Sequence, residues 1–310
     1  MFIRRQLRSL ERLGVQIKWF FLRSRTSPIE LWREWRELRK VVGEYRPDFI
    51  HAGYGTVTSG LATLVPGVSL VVTFRGSDLN PQLSIGWVRR WLGFLISQWS
   101  AFCAKHVICV SEQLRSRLWC SKSKVTVLLD GIDLDVFYPT SQIKARETLG
   151  WNQSEKIVLF CAGNQPFTKG QPAVESAFKL VSEKIRSARL VILDGTVPPD
   201  EIPVYLNAAD CLAFASLSEG SPNIVKEALA CNLPVVSVDV GDVRERLNGV
   251  NPSLVVSRDV ADFASGIVSV LQDGRRSNGR QTVMPHSLQA IAIRLCTLYE
   301  DILHDSLSAA

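Results

Sequence analysis

The chain has 310 residues, of which 46% are hydrophobic and 21% charged, and its formal net charge is +6. This composition suits ordinary buried cores and excludes a disordered, collagen-like or disulfide-dense protein. Because the length is about twice that of a usual domain, we expect two compact domains. The seven cysteines form no CxxC pair and fall mostly in apolar runs, so we expect free thiols in a reducing cytosol and no structural zinc.

The N-terminal segment carries the excess of positive charge. Residues 1–46 hold 12 Lys and Arg against 5 Asp and Glu, and no secretory signal is expected there. A solvated basic helix face is the favoured interpretation, and peripheral contact with an anionic membrane or an acidic polymer is the alternative. Nucleic acid is not expected, because no binding motif accompanies the charge. Residues 91–110, the longest apolar stretch, are too polar to span a membrane, so we expect a cytoplasmic protein.

Short β-branched runs alternate with amphipathic helical patterns along the chain. This alternation predicts the α/β class, with parallel sheets covered on both faces. The predicted strands are residues 15–21, 48–51, 70–74, 106–110, 125–129, 156–161, 189–193, 211–215, 234–238 and 254–256. The predicted helices include residues 29–42, 171–185, 259–271 and 287–307.

A break in this pattern at residues 139–155 predicts a domain boundary. We expect an N-terminal domain over residues 1–140, a second domain over 151–285, and a final helix over 286–310 that packs back towards the N-terminal domain. Ligands of open α/β sheets bind beyond the carboxyl ends of the strands. Two such domains facing each other would therefore form a ligand-binding interdomain cleft.

The most informative segment is residues 219–230, with the sequence EGSPNIVKEALA. A predicted strand ends shortly before it, and Ser221 followed by Pro222 predicts a helix that begins with the serine as its N-cap. The backbone N–H groups of the first turn point out of the helix and suit a phosphate. These N–H groups belong to Asn223, Ile224 and Val225.

Two carboxylates, Glu219 and Glu227, flank this predicted anion site. Carboxylates there are puzzling for phosphate alone, but they suit sugar hydroxyls, which donate hydrogen bonds to them. For the spacing alone, the structural alternative is a capped helix with one exposed and one surface-paired glutamate.

A second segment follows the predicted strand 156–161 and contains Gly163, Asn164 and Lys169. It resembles a phosphate loop but lacks the GxxxxGK[ST] arrangement, so an NTPase is not expected. Lys169 is either a point charge for a diphosphate or a solvated lysine.

Two further segments carry polar residues at predicted strand ends. Arg75 and Asp78 follow the strand 70–74, where they either face the cleft or pair with each other. Asp133 and Asp135 form an Asp-x-Asp triplet. One large class of sugar transferases uses such a triplet to bind a divalent ion. A metal-dependent transferase is therefore one hypothesis for this chain.

Taken in order, these segments resemble the retaining glycosyltransferases of family 4, which have the GT-B fold of two Rossmann-like domains. The likeness extends over nearly the whole chain, and the Glu219-x7-Glu227 pattern is its most distinctive part. The chain looks most similar to members that build bacterial surface polysaccharides, including those of the teichuronic acid type. The matching segments are RGSD at 75–78, VSE at 110–112, DGIDLDVFYP at 130–139, the loop 163–170, residues 219–230 and PVVSVDVG at 234–241.

The resemblance implies transfer of a sugar, with retention of configuration, from a nucleoside diphosphate donor to a glycan or lipid-linked acceptor. A UDP-sugar is the expected donor, and neither a metal nor a further cofactor is implied. The catalytic residues would be Glu219, Lys169 and Arg75, and Glu227 would hold the ribose. The remaining donor-binding positions would be Gly163, Asn164, Gly220, Ser221, Asn223, Ile224 and Val225.

Three features depart from the family pattern. Asn164 stands where the family usually has arginine, and Arg75 stands where it often has histidine. The family's first strand and glycine-rich loop have no counterpart before the helix predicted at residues 2–13. That strand normally sits inside the N-terminal sheet, so either the true start lies upstream or this domain is rearranged and inactive. A non-catalytic or decayed nucleotide-sugar-binding protein is the alternative function.

Overall fold

The computed structural model describes residues 2–80 and 86–307. The described chain forms two compact units. Residues 130–290 build the C-terminal unit, and residues 2–129 together with 291–307 build the N-terminal unit. Each unit contains a parallel sheet covered by helices, which confirms the predicted α/β class with two Rossmann-like domains.

The N-terminal unit contains a four-stranded parallel sheet in the order β1-β2-β3-β4. Its elements are α1 (Phe2–Arg12), α2 (Pro28–Tyr45), β1 (Phe49–Ala52), α3 (Thr56–Thr63), β2 (Ser69–Phe74), α4 (Trp87–Cys103), β3 (His106–Cys109), α5 (Glu112–Ser116), a 3₁₀ helix (Lys122–Lys124) and β4 (Val125–Val127). Strand β2 is central and almost wholly buried, as a continuous apolar run in a parallel sheet requires.

The last helix of the chain, α14 (Leu288–Leu307), packs in the N-terminal unit from Ile291 onward. Its residues Leu295 and Tyr299 share a buried cluster with Leu10 of α1 and Val71 of β2. The prediction that the final helix packs back towards the N-terminal domain is therefore confirmed.

Residues 15–21, predicted as a strand, are irregular in the structure. Val15 and Ile17 still pack against the cluster that contains Leu10, so the apolar pattern does report burial. A strand also requires a neighbouring backbone with which to form a hydrogen-bonded ladder, and the side-chain pattern carries no information about that partner.

The C-terminal unit contains a five-stranded parallel sheet in the order β6-β5-β7-β8-β9. Its strands are β5 (Lys156–Cys161), β6 (Ala188–Leu193), β7 (Cys211–Phe214), β8 (Val235–Val238) and β9 (Leu254–Val256). Its helices are α6 (Gln142–Leu149), α7 (Pro166–Lys169), α8 (Gln171–Lys184), α9 (Ile202–Ala208), α10 (Asn223–Ala230), α11 (Val243–Leu247), α12 (Val260–Asp273), α13 (Gly279–Val283) and a 3₁₀ turn (Met284–His286). The chain leaves β5 to form β6 on one side and later β7 on the other, so the strand order reverses between β5 and β7. Ligands of open α/β sheets bind at such a switch point.

The C-terminal unit begins at Asp130, earlier than the predicted boundary at residues 139–155. The reason is a set of backbone hydrogen bonds that composition does not show. The N–H of Ile132 donates to the carbonyl of His286 at 2.9 Å, and the N–H of Leu288 donates back to Ile132 at 2.8 Å. The ammonium of Lys226 donates to the carbonyl of Asp130 at 3.1 Å. These bonds attach Asp130 and Ile132 to the C-terminal unit.

Within the described ranges, the search for a helix both long and apolar enough to cross a membrane found none.

Candidate functional site

The candidate site of the C-terminal unit lies at the carboxyl ends of β5 and β7. Gly170 ends the short helix α7 with φ of 83°, a conformation that favours glycine. A Cβ atom on Gly170 would lie 2.2 Å from the carbonyl oxygen of Ala215, immediately after β7. The missing side chain therefore allows the loop after β5 to pack directly on the end of β7.

This close approach brings together two residues that lie fifty positions apart in sequence. The Nζ atom of Lys169 lies 2.6 Å from Oε1 of Glu219, and the two side chains are 34% and 15% exposed. The hydroxyl of Ser216 donates to the same carboxylate oxygen at 2.8 Å. Two of the predicted catalytic residues thus form a half-buried ion pair at the switch point.

The turn that carries Glu219 is supported from two sides. The guanidinium of Arg258 donates to the carbonyl of Ser216 at 2.8 Å. Gly241, with φ of 61°, packs against Gly220, because a Cβ atom there would lie 2.7 Å from the Gly220 carbonyl oxygen. These contacts position the turn through its backbone.

Helix α10 begins at Asn223, one residue later than predicted, and Pro222 occupies the N-cap position. The prediction that Ser221 caps this helix is wrong, because its hydroxyl donates to Oδ2 of Asp242 at 2.9 Å. A hydroxyl that donates to a carboxylate forms a charge-assisted hydrogen bond. This bond is stronger than the neutral hydrogen bond that the hydroxyl would accept from a backbone N–H group. The N–H groups of residues 223–225 have no acceptor inside the helix, as in the first turn of any α-helix. Anion binding by these groups stays a prediction.

Glu227 lies in the second turn of α10 and is half-buried. Its charge, together with burial, raises the pKa of the Cys161 thiol to about 12, while Lys169 acts in the opposite direction. Cys161 ends β5, so both Glu227 and Lys169 lie near the carboxyl end of this strand. The Cys161 thiol is uncharged at neutral pH.

A buried network that sequence analysis missed lies beneath the start of α10. Lys226 is fully buried and donates to the carbonyl of Asp130. Burial raises the pKa of Asp242, and Lys226, Ser221 and Arg246 act against this shift. Sequence pattern alone predicts that a lysine directly before Glu227 lies on the surface. The available signal for the buried network was the Gly241-Asp242 turn after β8.

The loop after β5 begins with Gly163 and Asn164 at the same edge of the sheet. The N–H of Gly163 donates to the carbonyl of Leu193, the last residue of β6, at 3.1 Å, and Asn164 is exposed. A Cβ atom on Gly195 would lie 3.4 Å from Gly163, so the loops after β5 and β6 pack closely. Both predicted donor-binding residues of this loop therefore lie at the carboxyl end of β5.

Arg75, the third predicted catalytic residue, belongs to the N-terminal unit. It follows β2, and its Nε donates to the carbonyl of Gly53 at 3.0 Å. Asp78 accepts backbone N–H groups from Gly55, Arg75 and Gly76 at distances between 2.8 and 3.2 Å. Asp78 thereby organises the turn from which the Arg75 side chain projects.

A half-buried histidine near Arg75 was not recognised from the sequence. Nδ1 of His51 lies 2.6 Å from the hydroxyl of Tyr299, and Nε2 lies 2.7 Å from the hydroxyl of Thr73. Burial and the charge of Arg75 lower the pKa of His51 to about 3. A neutral imidazole thus connects β1, β2 and α14, and its position at the end of β1 was the only signal for it.

The Asp-x-Asp triplet forms a local turn in which Oδ1 of Asp133 accepts the N–H of Asp135 at 3.3 Å.

Two family models match the chain, one on each half. The model described as Glycosyltransferase Family 4 matches residues 2–136, and the model described as Glycosyl transferases group 1 matches residues 142–273. Each half of the chain therefore matches a glycosyltransferase family model, as the resemblance of its motifs implied.

Curated relatives match over part of their length. A D-inositol 3-phosphate glycosyltransferase from Mycobacterium sp. (strain JLS) is 31% identical over 199 residues, which are 56% of this chain and 45% of the relative. TuaC from Bacillus subtilis, named for teichuronic acid biosynthesis, is 29% identical over 218 residues, which are 64% of this chain and 54% of TuaC. The chain spans about half the length of the curated relatives it matches.

Solved structures share the fold. Sucrose-phosphate synthase from Thermosynechococcus elongatus superposes with a TM-score of 0.74 at 20% identity, covering 89% of this chain and 79% of the synthase. Anabaena Alr3699/HepE in complex with UDP superposes with a TM-score of 0.70 at 16% identity, covering 94% of this chain and 88% of HepE. The fold is GT-B, as predicted.

Proposed function

We propose that this chain transfers a sugar from a nucleoside diphosphate donor to a glycan or lipid-linked acceptor, with retention of configuration and without a metal ion. The observation that carries the proposal is the Lys169–Glu219 pair at the switch point, which precedes a helix, α10, whose first N–H groups have no acceptor inside the helix. A cation and a helix N-terminus suit a diphosphate, whereas a carboxylate beside them suits sugar hydroxyls.

The diphosphate is the leaving group, so its developing charge is what the site must stabilise. Lys169 supplies a positive charge, and the N–H groups of residues 223–225 supply oriented dipoles that need no reorganisation. Glu219 accepts hydrogen bonds from hydroxyls of the transferred sugar and holds Lys169 in place. The neutral thiol of Cys161 adds no negative charge to this edge of the sheet.

Glu227 holds the ribose hydroxyls of the donor. In the proposed reaction the acceptor oxygen bonds to the anomeric carbon on the face from which the diphosphate departs, and the bond from that carbon to the diphosphate oxygen breaks. The acceptor proton passes to the departing phosphate. Retention follows because both events occur on one face of the sugar.

UDP-sugar is the proposed donor, and a cell-surface polysaccharide is the proposed product. The support is the likeness of fold to HepE in complex with UDP, and the likeness of sequence to TuaC, which is named for teichuronic acid biosynthesis. Contact of the basic helix α1 with an anionic membrane is part of the proposal, because Arg4, Arg8 and Arg12 are exposed.

Nucleotide titration by calorimetry tests the donor site. We expect the chain to bind UDP in preference to GDP and ADP, with the same affinity in magnesium and in EDTA. Lys169→Met removes the charge at the diphosphate, so UDP affinity should fall at least about tenfold, which is the usual value of a charge-assisted hydrogen bond. The matched control is Lys179→Met on the exposed side of α8, which should bind UDP like the unmodified chain.

A folded chain that binds no nucleotide contradicts the proposal, as does Lys169→Met binding with unchanged affinity. Incubation with UDP-sugars then measures release of UDP with and without glycan acceptors. UDP binding without any turnover would make the chain a non-catalytic nucleotide-sugar-binding protein instead.

A further inference from the structure

Helix α4 is oriented opposite to an ordinary surface helix. Its buried side carries the polar residues Ser97, Gln98 and Ser100. Ser97 donates to the carbonyl of Asp78 at 2.9 Å, and Gln98 donates to the carbonyl of Arg117 at 2.9 Å. Surface helices normally bury an apolar stripe and expose polar residues. Here hydrogen bonds anchor the helix, and the apolar side faces away from the protein.

The exposed side of α4 is almost wholly apolar. Its large side chains are between 47% and 70% exposed and recur at helical spacing: Trp87, Val88, Trp91, Leu92, Leu95, Trp99 and Phe102. Trp119, which follows α5, is 68% exposed and packs edge-on against Phe94 of α4, with ring centroids 5.4 Å apart. We name this set of side chains the α4 face. An exposed apolar patch of this kind marks an interaction site.

The chemistry around the α4 face favours a lipid bilayer over a protein partner. Residues 79–129 contain seven Lys and Arg but one acid, Glu112, which pairs with Arg115 at 3.1 Å. Tryptophans beside arginines are typical of helices that lie in a membrane interface. A symmetric contact with a second copy would instead bring two basic surfaces together.

A cavity of about 1000 Å³ lies beside the α4 face and has a basic lining. Four arginines contribute to it: Arg25, Arg89, Arg90 and Arg117. The lining contains one acid among the described residues, Asp78, and its carboxylate accepts three backbone N–H groups. The cavity therefore suits an anionic group such as a phosphate.

We propose that the α4 face docks on an anionic bilayer and that the arginine-lined cavity receives the phosphate headgroup of a lipid. The assignment of this lipid as the acceptor rests on the proposed glycosyltransferase function, whereas the docking itself does not. The site lies wholly in the N-terminal unit and extends the predicted membrane contact of helix α1 to a second, apolar surface.

Co-sedimentation with vesicles tests the docking. We expect binding to phosphatidylcholine vesicles that contain phosphatidylglycerol and little binding to phosphatidylcholine alone. The triple variant W87S/W91S/W99S should lose at least tenfold in vesicle affinity. The matched control is Trp32→Ser, because Trp32 is also exposed, at 55%, and lies on α2 of the same unit. This control should bind like the unmodified chain.

A second variant, R89Q/R90Q, keeps the tryptophans and removes two charges. Each arginine near an anionic surface contributes about fivefold to binding, so this variant should lose roughly 25-fold. At equal surface charge, vesicles with phosphatidic acid should bind the unmodified chain several-fold better than vesicles with oleate. Equal binding to these two lipids overturns the phosphate assignment of the cavity.

Three outcomes overturn the docking proposal. The first is that the unmodified chain does not bind anionic vesicles, and the second is that the folded triple variant binds them as well as the Trp32→Ser control does. The third is a dimer in sedimentation velocity that the triple variant converts to monomer, which would assign the α4 face to a second copy. UDP affinity, measured in parallel, should be the same in every variant as in the unmodified chain. If the unmodified chain binds vesicles but does not bind UDP, the proposed function is refuted and the docking proposal stands.

Discussion

The two units of this protein differ in how they use charge. The N-terminal unit contains 21 Lys and Arg against 11 Asp and Glu, a formal net charge of +10, whereas residues 130–290 contain 15 against 19, a net charge of −4. The proposed diphosphate site nevertheless lies in the acidic unit. A lysine and the N–H groups of a helix N-terminus act on a nearby ligand, whereas water and salt screen the more distant charges of the unit.

The basic unit shows the opposite arrangement. Its charges are spread over α1, α4 and the segment that follows, and its apolar side chains cover a helix face. Such a surface acts through total charge and area, so each residue contributes little and several must be changed to see an effect. The comparison teaches that the net charge of a unit does not by itself locate the proposed phosphate site. The following four predictions test both halves of it.

The largest expected effect is on the close packing that builds the site of the acidic unit. Gly170→Ala places a Cβ atom 2.2 Å from the Ala215 carbonyl at a φ of 83°, and we expect a loss of at least about 3 kcal/mol in the free energy of unfolding. Gly274→Ala is the matched control, because Gly274 also has positive φ, 68°, but no atom within 3.7 Å of the added Cβ. It should cost about 1 kcal/mol in urea unfolding. Equal losses would show that backbone strain alone matters.

The next effect concerns nucleotide recognition by local geometry. Glu227→Gln keeps the shape of the side chain but removes the charged acceptor for ribose hydroxyls, so UDP affinity should fall at least about tenfold in calorimetry. Glu183→Gln removes the same charge from an exposed position of α8 and should leave UDP affinity unchanged. If both variants weaken binding equally, the net charge of the unit and not the position of Glu227 controls the site.

The third effect is a pH dependence in the basic unit. The pKa of His51 falls from 6.5 in the unfolded chain to about 3 in the folded one. Above pH 6.5 the imidazole is neutral in both states, and below it the unfolded chain binds a proton that the folded chain does not. Stability should therefore fall as the pH drops from 6.5 towards 3, by about 1.4 kcal/mol for each unit.

Urea unfolding at pH 7.5 and pH 5.5 measures this loss, with His51→Gln as the variant that cannot titrate. The unmodified chain should lose about 1.4 kcal/mol more than His51→Gln between these two values. Parallel losses in the two proteins would mean that His51 is not held neutral.

The smallest effect tests where helix α10 begins. Ser221→Ala removes one hydrogen bond to Asp242 and should cost about 1 kcal/mol in the free energy of unfolding. Ser221→Asp separates the two roles, because aspartate is a good N-cap but would place a second carboxylate against Asp242. Ser221→Asp should be less stable than Ser221→Ala, and the reverse order would restore Ser221 as the cap.

Sequence reasoning performed best where side-chain pattern and backbone structure depend on the same physics. The continuous apolar runs predicted β2, β5, β7 and β8, because a strand buried on both faces has no polar side. The segment 219–230 predicted a strand end, a turn and a helix start to within one residue. Sequence reasoning failed for residues 15–21, where the apolar alternation was present but the backbone is not paired with another strand.

By itself, the sequence determined the α/β class, the order of the motifs, and the residue types of the proposed nucleotide-sugar site. These depend on local spacing, which hydrophobic periodicity and turn chemistry make visible. Only the tertiary structure decided that Lys169 pairs with Glu219, that Ser221 binds Asp242, that the fully buried Lys226 reaches Asp130, and that α4 exposes its tryptophans. Each of these depends on contacts between residues distant in the chain, which arise only when the strands have been ordered and the helices packed.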